Sequence, residues 1–262
     1  MSEATTSLRR WFIFRNDSVL VSEREPFEFP FLGVGQAPPL PVGRVHSIGR
    51  DRPELAAEVA ADVDPPAGYA WVKLRALFGG VADELFWSLG TAFQVINWDR
   101  TTRYCGTCGT ATQQSENERV AVCPACSFEQ YPRVSPAMIC AVIRDDQILL
   151  AQNARFRGGR YSVVAGFVES GETLEECVAR EVLEETGLAV ADIRYFGSQP
   201  WPFPHSLMIG FTARWQSGEI HLGDAELVDA GWFDADHLPE RLPGLPTIAR
   251  RLIDWFVAGA GR

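Results

Sequence analysis

The sequence predicts an α+β protein made of more than one unit, and three observations carry that prediction. Four cysteines fall as two C-x-x-C pairs near mid-chain, strand-like runs outnumber helical ones on both sides of them, and one carboxylate-rich helix is inserted among the downstream strands. With 262 residues the chain has room for one large domain or two smaller ones.

Residues 1–98 read as a smaller N-terminal α/β domain. "WFIFRN" and "SVLVSE" have the aromatic and β-branched content of short strands, "APPLPVG" is a Pro-rich connection, and a helix is predicted from about Val81 to Trp98. This region carries no motif, and no internal repeat is visible anywhere in the chain.

Residues 99–133 form a zinc-ribbon segment. Cys105-x2-Cys108 and Cys123-x2-Cys126 are separated by fourteen residues, the spacing at which two tight Gly- or Pro-containing turns aim four sulfurs at one tetrahedral ion. Four thiolates fill the tetrahedron and leave no position for a reactive water, so the expected Zn²⁺ is structural. Cys140 and Cys177 stand apart and are expected as buried small apolar residues.

Residues 134–262 hold the remaining strands. "SPAMICAVIRDDQILLAQN" reads as two strands joined at Asp145 and Asp146, "RYSVVAGFV" as a third, and "DIRYFGS", "LMIGFTARW", "EIHL" and "VDAGWF" as later ones. "PTIARRLIDWFVAG" reads as a terminal helix. The inserted helix lies in "SGETLEECVAREVLEETGL": Thr173 and Glu176 make a capping box, and Gly187 supplies a left-handed stop.

At 100° per residue, Leu174, Cys177, Val178 and Val182 form the side of that helix that should face the core, and Glu181 and Glu185 fall within the same stripe. Glu184 lies on its edge. Carboxylates about 4 Å apart repel by about 4 kcal/mol per pair at an effective dielectric near 20, and desolvation adds to this. Arg180 offers one positive charge, and a carboxylate cluster of this density suits Mg²⁺ or Mn²⁺, which would bridge protein carboxylates and phosphate oxygens.

Residues 166–188, "GFVESGETLEECVAREVLEETGL", resemble the Nudix box without a gap: Gly166, five residues, Glu172, seven residues, then Arg180-Glu181-Val182-x-Glu184-Glu185-x-Gly187-Leu188. The resemblance implies a Nudix α/β/α sandwich and a pyrophosphohydrolase. It implies Glu181, Glu184 and Glu185 as catalytic residues, with Glu181 and Glu185 ligating Mg²⁺ or Mn²⁺. Glu226 and the backbones of Ala165 and Ala249 are the further metal contacts it implies. Gly166, Glu172, Arg180 and Gly187 would support the box.

A second stretch, "SQPWPFPHS" at 198–206, resembles the signature of the NADH pyrophosphatase branch of this family, which also carries a four-cysteine zinc site ahead of the Nudix domain. Its alternating prolines pre-set the chain, so Trp201 and Phe203 can offer flat faces to a base at little ordering cost. The resemblance makes Gln199, Pro200, Trp201, Pro202, Phe203, Pro204, His205 and Ser206 substrate-binding, together with Arg75, Glu118, Tyr131 and Phe167. Tyr131 and Phe167 match aromatics that sandwich a base, the tyrosine coming from the second subunit of a homodimer. The implied reaction cleaves NAD(H) to nicotinamide mononucleotide and AMP, and NAD-capped RNA to nicotinamide mononucleotide and 5′-monophosphate RNA. The alternatives are another nucleoside diphosphate derivative such as ADP-ribose, or a nucleic-acid binder using the Nudix domain as a scaffold.

A net charge of −10 argues against a broad nucleic-acid footprint, and no DNA partner is expected. Between Asn97 and Ala165, however, eight arginines face six acids. Arg100, Arg103, Arg119, Arg133, Arg155, Arg157 and Arg160 would suit an RNA tail. No apolar run reaches the roughly 18 residues of a membrane span, and the N-terminal stretch lacks a signal-type core, so a cytoplasmic protein without membrane association is predicted.

Overall fold

β1 (Leu8–Arg15) and β2 (Ser18–Ser22) form an antiparallel hairpin at the centre of the first sheet. In the computed structural model, which describes residues 8–49, 54–115, 117–155, 158–222 and 226–259, this sheet belongs to a unit of residues 1–133 and 202–205. β3 (Phe31–Gly33) pairs β1, β4 (Val45–Ser47) and β5 (Glu54–Glu58) extend the β1 edge, and β6 (Tyr69–Lys73) pairs β2. The continuous run "WFIF" is buried on both faces of the sheet. Phe12 and Phe14 pack against helix α1 (Asp83–Thr101) through Phe86, Leu89, Phe93 and Ile96, while Trp11 and Ile13 meet Leu40, Val42 and Val63. The helix runs three residues past its predicted end because its polar tail is anchored: the Trp98 indole donates to Gln130 O (3.0 Å) and Arg100 pairs with Glu58 (3.0 Å).

The zinc segment follows, with three two-residue strands, β7 (Gln113–Gln114), β8 (Ala121–Val122) and β9 (Glu129–Gln130).

Residues 134–201 and 206–262 form the second unit. β10 (Ser135–Arg144) and β11 (Gln147–Asn153) turn at Asp145, whose φ of 51° is the left-handed conformation a tight hairpin asks of Asp or Asn. β12 (Tyr161–Ser162) pairs β11 and β13 (Val164–Phe167) pairs β10, so the single strand predicted from "RYSVVAGFV" divides at Val163 between two neighbours. Helix α2 (Leu174–Thr186) leads into β14 (Ala189–Trp201) and β15 (Ser206–Ser217); β16 (Leu227–Asp234) pairs β11, and α3 (Ile248–Val257) closes the unit. Alternation along β10 sorts the two layers. Met138, Cys140 and Val142 face α2, whereas Ile139, Ala141 and Ile143 face α3. The result is an α/β/α sandwich, with Cys140 and Cys177 both buried on the α2 side.

"EIHL" is not a strand. Gly218 turns the chain at φ 97°, and the His221 N–H donates to Thr186 O (2.9 Å), satisfying an end carbonyl of α2. β14 runs through Pro200, which is tolerated because this strand is the sheet edge and Pro lacks only a donor.

The two sheets share one topology. β1, β2, β3, β4, β5 and β6 make the pairings of β10, β11, β13, β14, β15 and β16, including the parallel pairs β1–β5 and β10–β15, and each set ends in a helix. Among the described residues the first unit has no counterpart of β12 or of the helix between its third and fourth strands. This repeat is one of topology, and the strings it is built from give no sequence period. Among the described residues no helix is long and apolar enough to cross a membrane.

Candidate active site

Thr173 caps α2 as its sequence requires. Its hydroxyl accepts from the Glu176 N–H (3.2 Å), the Glu176 carboxylate accepts from the Thr173 N–H (2.8 Å), and Gly187 ends the helix at φ 74°. Cys177, Val178 and Val182 are fully buried, and this seating turns Glu181 and Glu185 partly inward. The Glu181 side chain is 14% exposed and Glu184, on the edge, 59%.

Gly166 makes the inward position of Glu181 possible. A Cβ on Gly166 would lie 1.9 Å from the Glu181 carboxyl carbon, so the carboxylate occupies the space a side chain would fill. Gly166 pairs with Met138, on the α2 side of the sheet. Gly166→Ala is therefore expected to displace the flexible end of Glu181 at small cost to the fold: hydrolysis falls about 100-fold, as for loss of one charge-stabilising group, while Tm moves by only a few degrees in a thermal melt. A large drop in Tm with hydrolysis preserved would contradict this placement.

Arg180 organises the loop and the acids together. Its Nε and an Nη donate to the two oxygens of Glu172 (2.7 and 2.9 Å), an Nη donates to Phe167 O (3.0 Å), and Glu181 and Glu184 each lie 3.0 Å from it. Glu172 also accepts from the Glu169 N–H (3.0 Å). These bonds hold the Glu172 carboxyl down at about 2 and raise the Arg180 guanidinium.

Glu185 has the opposite balance. Burial and the charges of Glu181, Glu226 and Glu184 push its carboxyl up to about 7, and burial raises Glu181 as well, despite Arg180. An oxygen-only set in which two half-buried acids resist ionisation fits a hard divalent cation. Among the described residues, the carboxylates are not drawn to a common ligand distance; only the four cysteines are. Glu226 instead pairs with Arg155 (2.6 Å), a partner that no sequence pattern signals.

The other predicted residues occupy distinct settings. Phe167 is 58% exposed beside Gly166, and Ala165 is exposed on β13, paired with Ile139. Ala249 sits in the first turn of α3, its side chain buried in the opposite layer from α2. Gln199 is buried and its amide is engaged at both ends, donating to Pro246 O and accepting from the Ile248 N–H (both 2.8 Å). That arrangement caps α3 and differs from the substrate hydrogen bond expected of it. Ser206 is buried opposite Trp201 in the β14–β15 register, beside Pro200.

Within the first unit, Phe203 packs beside Phe86 (6.5 Å) with the Arg75 guanidinium 4.2 Å over its ring, and Pro202 lies where a Cβ on Gly90 would come within 2.9 Å. Phe203 thus has one face against an arginine, not open to a base. Pro204 is exposed and His205 half-buried in the same turn. Tyr131 is exposed and donates to Glu129 (2.9 Å); that bond and the Glu129 charge raise its phenol, with a smaller push from Glu118. Of the basic residues, Arg100 and Arg103 face Glu58 and Arg119 donates to Ser47 O, so much of that charge is locally paired; Arg157 lies outside the described residues.

The cysteines form one centre. Sγ–Sγ separations of 3.5 to 3.6 Å for 105–126, 108–123 and 108–126 lie close to the edge of a tetrahedron around an ion at about 2.3 Å. The two knuckles repeat each other. Gly109 and Ser127, each after its second cysteine, are left-handed (φ 75° and 59°) and donate back to Cys105 O and Cys123 O (both 2.9 Å).

Comparison with known proteins adds three family matches: the NADH pyrophosphatase-like rudimentary NUDIX domain over residues 8–98, the NADH pyrophosphatase zinc ribbon domain over 100–131, and the NUDIX domain over 133–256. The first agrees with the topological repeat, and sequence reading missed it because that copy has no box. The chain is 48% identical over 221 residues to the NAD-capped RNA hydrolase NudC of Pseudomonas aeruginosa (84% of this chain, 79% of that one). It is 46% identical over 206 residues to the NudC of Stutzerimonas stutzeri (79% and 74%). A Nudix hydrolase structure from Nitrosomonas europaea shares the fold, with a TM-score of 0.52 at 23% identity over 59% of this chain and 90% of that one.

Proposed function

This chain belongs to the NADH pyrophosphatase branch of the Nudix family, and on that premise we propose that it hydrolyses the pyrophosphate of NAD(H) and of NAD-capped RNA. The products are nicotinamide mononucleotide with AMP or with 5′-monophosphate RNA. The observation that carries the reading is the inward pair of Glu181, set against Gly166, and half-buried Glu185, on a helix whose loop is fixed by Glu172 and Arg180.

Glu181, Glu185 and Glu226, with the backbone of Ala165, would hold Mg²⁺ or Mn²⁺. Such a cation supplies Lewis-acid stabilisation of charge on the phosphoryl oxygens. Water adds to one phosphorus, the bridging oxygen leaves with the other phosphate, and a carboxylate of Glu181, Glu184 or Glu185 takes the proton. Phe167 is placed to stack on a ring of the substrate. Zn²⁺ holds the four cysteines without entering the chemistry. We place the domains at 1–98, 99–133 and 134–262 and the active form as a homodimer, with Tyr131 offered to the partner.

Steady-state hydrolysis tests this. With Mg²⁺ or Mn²⁺ present, kcat/KM is expected to be higher for NADH and NAD-capped RNA than for ADP-ribose, with water added across the pyrophosphate. Preference for ADP-ribose, or no cleavage of NADH and NAD-capped RNA, would refute the assignment.

A further inference from the structure

Backbone bonds at the end of the β11–β16 pair bring Arg155 to Glu226. The ladder slips between Gln152 and Asn153, so that Asn153 comes opposite Leu227. Just beyond, the Ala154 N–H donates to Glu226 O (2.8 Å), and the Asn153 side-chain oxygen accepts from the Arg155 N–H (2.9 Å). The second bond is the local turn that Asn favours, and past it the Arg155 guanidinium meets the Glu226 carboxylate (2.6 Å). This pair stands beside the acidic helix, since Glu226 is one of the charges that raise Glu185. With side chains 77% and 46% exposed, such a pair contributes little to the fold, and its arginine is easily released.

Two kinds of cation can claim Glu226. A guanidinium spreads a single charge over a planar fork, whereas Mg²⁺ or Mn²⁺ concentrates two charges and prefers carboxylate oxygen. Once a divalent ion takes the carboxylate, Arg155 needs another anion within reach. Mg²⁺–oxygen distances are about 2.1 Å, so a carboxylate and a phosphate that share one ion stand within about 4 Å of each other. A guanidinium already 2.6 Å from Glu226 can therefore reach phosphate oxygens by side-chain rotation alone, and its fork matches them in pairs.

We propose that Arg155 is a pyrophosphate-binding residue, whose guanidinium holds Glu226 until a divalent cation claims that carboxylate and then turns to the phosphoryl oxygens of the substrate. This rests on the reading of the chain as a pyrophosphohydrolase, and it takes Arg155 out of the set of arginines expected to follow an RNA tail.

The test sets two affinities against each other in the zinc-loaded protein. Mn²⁺ binding, read from the electron paramagnetic resonance of the free ion, should be about threefold tighter in Arg155→Gln, which removes the competing cation. Methylenediphosphonate, a pyrophosphate with an uncleavable bridge, should bind about tenfold more weakly to the same variant by calorimetry at saturating Mn²⁺, as for loss of a charge-assisted hydrogen bond. Damage to the fold would weaken both. Arg155→Lys keeps the charge without the fork, so it should hold Mn²⁺ as the parent does and recover part of the diphosphonate affinity. Mn²⁺ affinity unchanged or weaker in Arg155→Gln, diphosphonate affinity within twofold of the parent's, or a parent that binds no diphosphonate would overturn the proposal; NADH cleavage by that parent would leave the hydrolase assignment standing. The two opposed shifts in a protein that cleaves neither NADH nor NAD-capped RNA would uphold Arg155 as a pyrophosphate ligand and sink the substrate assignment instead.

Discussion

Glu185→Gln is expected to cut NADH hydrolysis by roughly 10³-fold, about 4 kcal/mol of transition-state stabilisation, while making the protein more stable at alkaline pH. The second half follows from linkage. The Glu185 carboxyl sits at about 7 in the fold against an ordinary 4.5, so between those values the native state binds more protons than the unfolded chain. Its contribution to stability is complete below pH 4.5 and is lost as pH rises through about 7. In buffer freed of Mg²⁺ and Mn²⁺ but with zinc retained, the parent Tm should therefore fall across that window, and the Glu185→Gln curve should be flatter. Added Mn²⁺ at pH 8 should raise the parent Tm and leave the variant nearly unmoved. Parallel pH curves for the two proteins would mean that the carboxylate is neither desolvated nor crowded by its neighbours.

Cys123→Ser is expected to have the largest structural effect. Cys123 is buried, its Sγ is 3.5 Å from that of Cys108, and among the described residues the segment's strands are three of two residues each, too little to stand on burial alone. A structural zinc site contributes on the order of 10 kcal/mol of apparent binding free energy to such a segment. The variant should lose its zinc, as read by elemental analysis. Amide hydrogen exchange should accelerate across β7, β8 and β9 while the β10–β15 ladder stays protected. Slow exchange in β7 to β9 without zinc would show that packing of Trp98 and Ala121 suffices to hold the segment.

The acidic helix was legible because it depends on local spacing. Thr173, Glu176 and Gly187 bound α2 in sequence, and three glutamates among buried valines contradict an ordinary core stripe, so helix and cluster followed from one segment. The zinc knuckles were legible for the same reason. What escaped was long-range. The repeat of the sheet topology is written in pairings such as β1–β5, which leave no period in the residues. The resemblance of 198–206 to the branch signature made Gln199 a substrate contact, yet its amide caps α3 some fifty residues downstream (2.8 Å to the Ile248 N–H). Phe203 looked like an open stacking face until Arg75, remote in sequence, was seen 4.2 Å above it. "EIHL" has strand composition but is spent satisfying the end of α2.

Anomalous diffraction from crystals soaked in Mn²⁺ tests the central claim most directly. The account predicts manganese peaks in contact with Glu181 and Glu185 beside Gly166. Manganese bound only elsewhere, with those two carboxylates turned to bulk water, would contradict it.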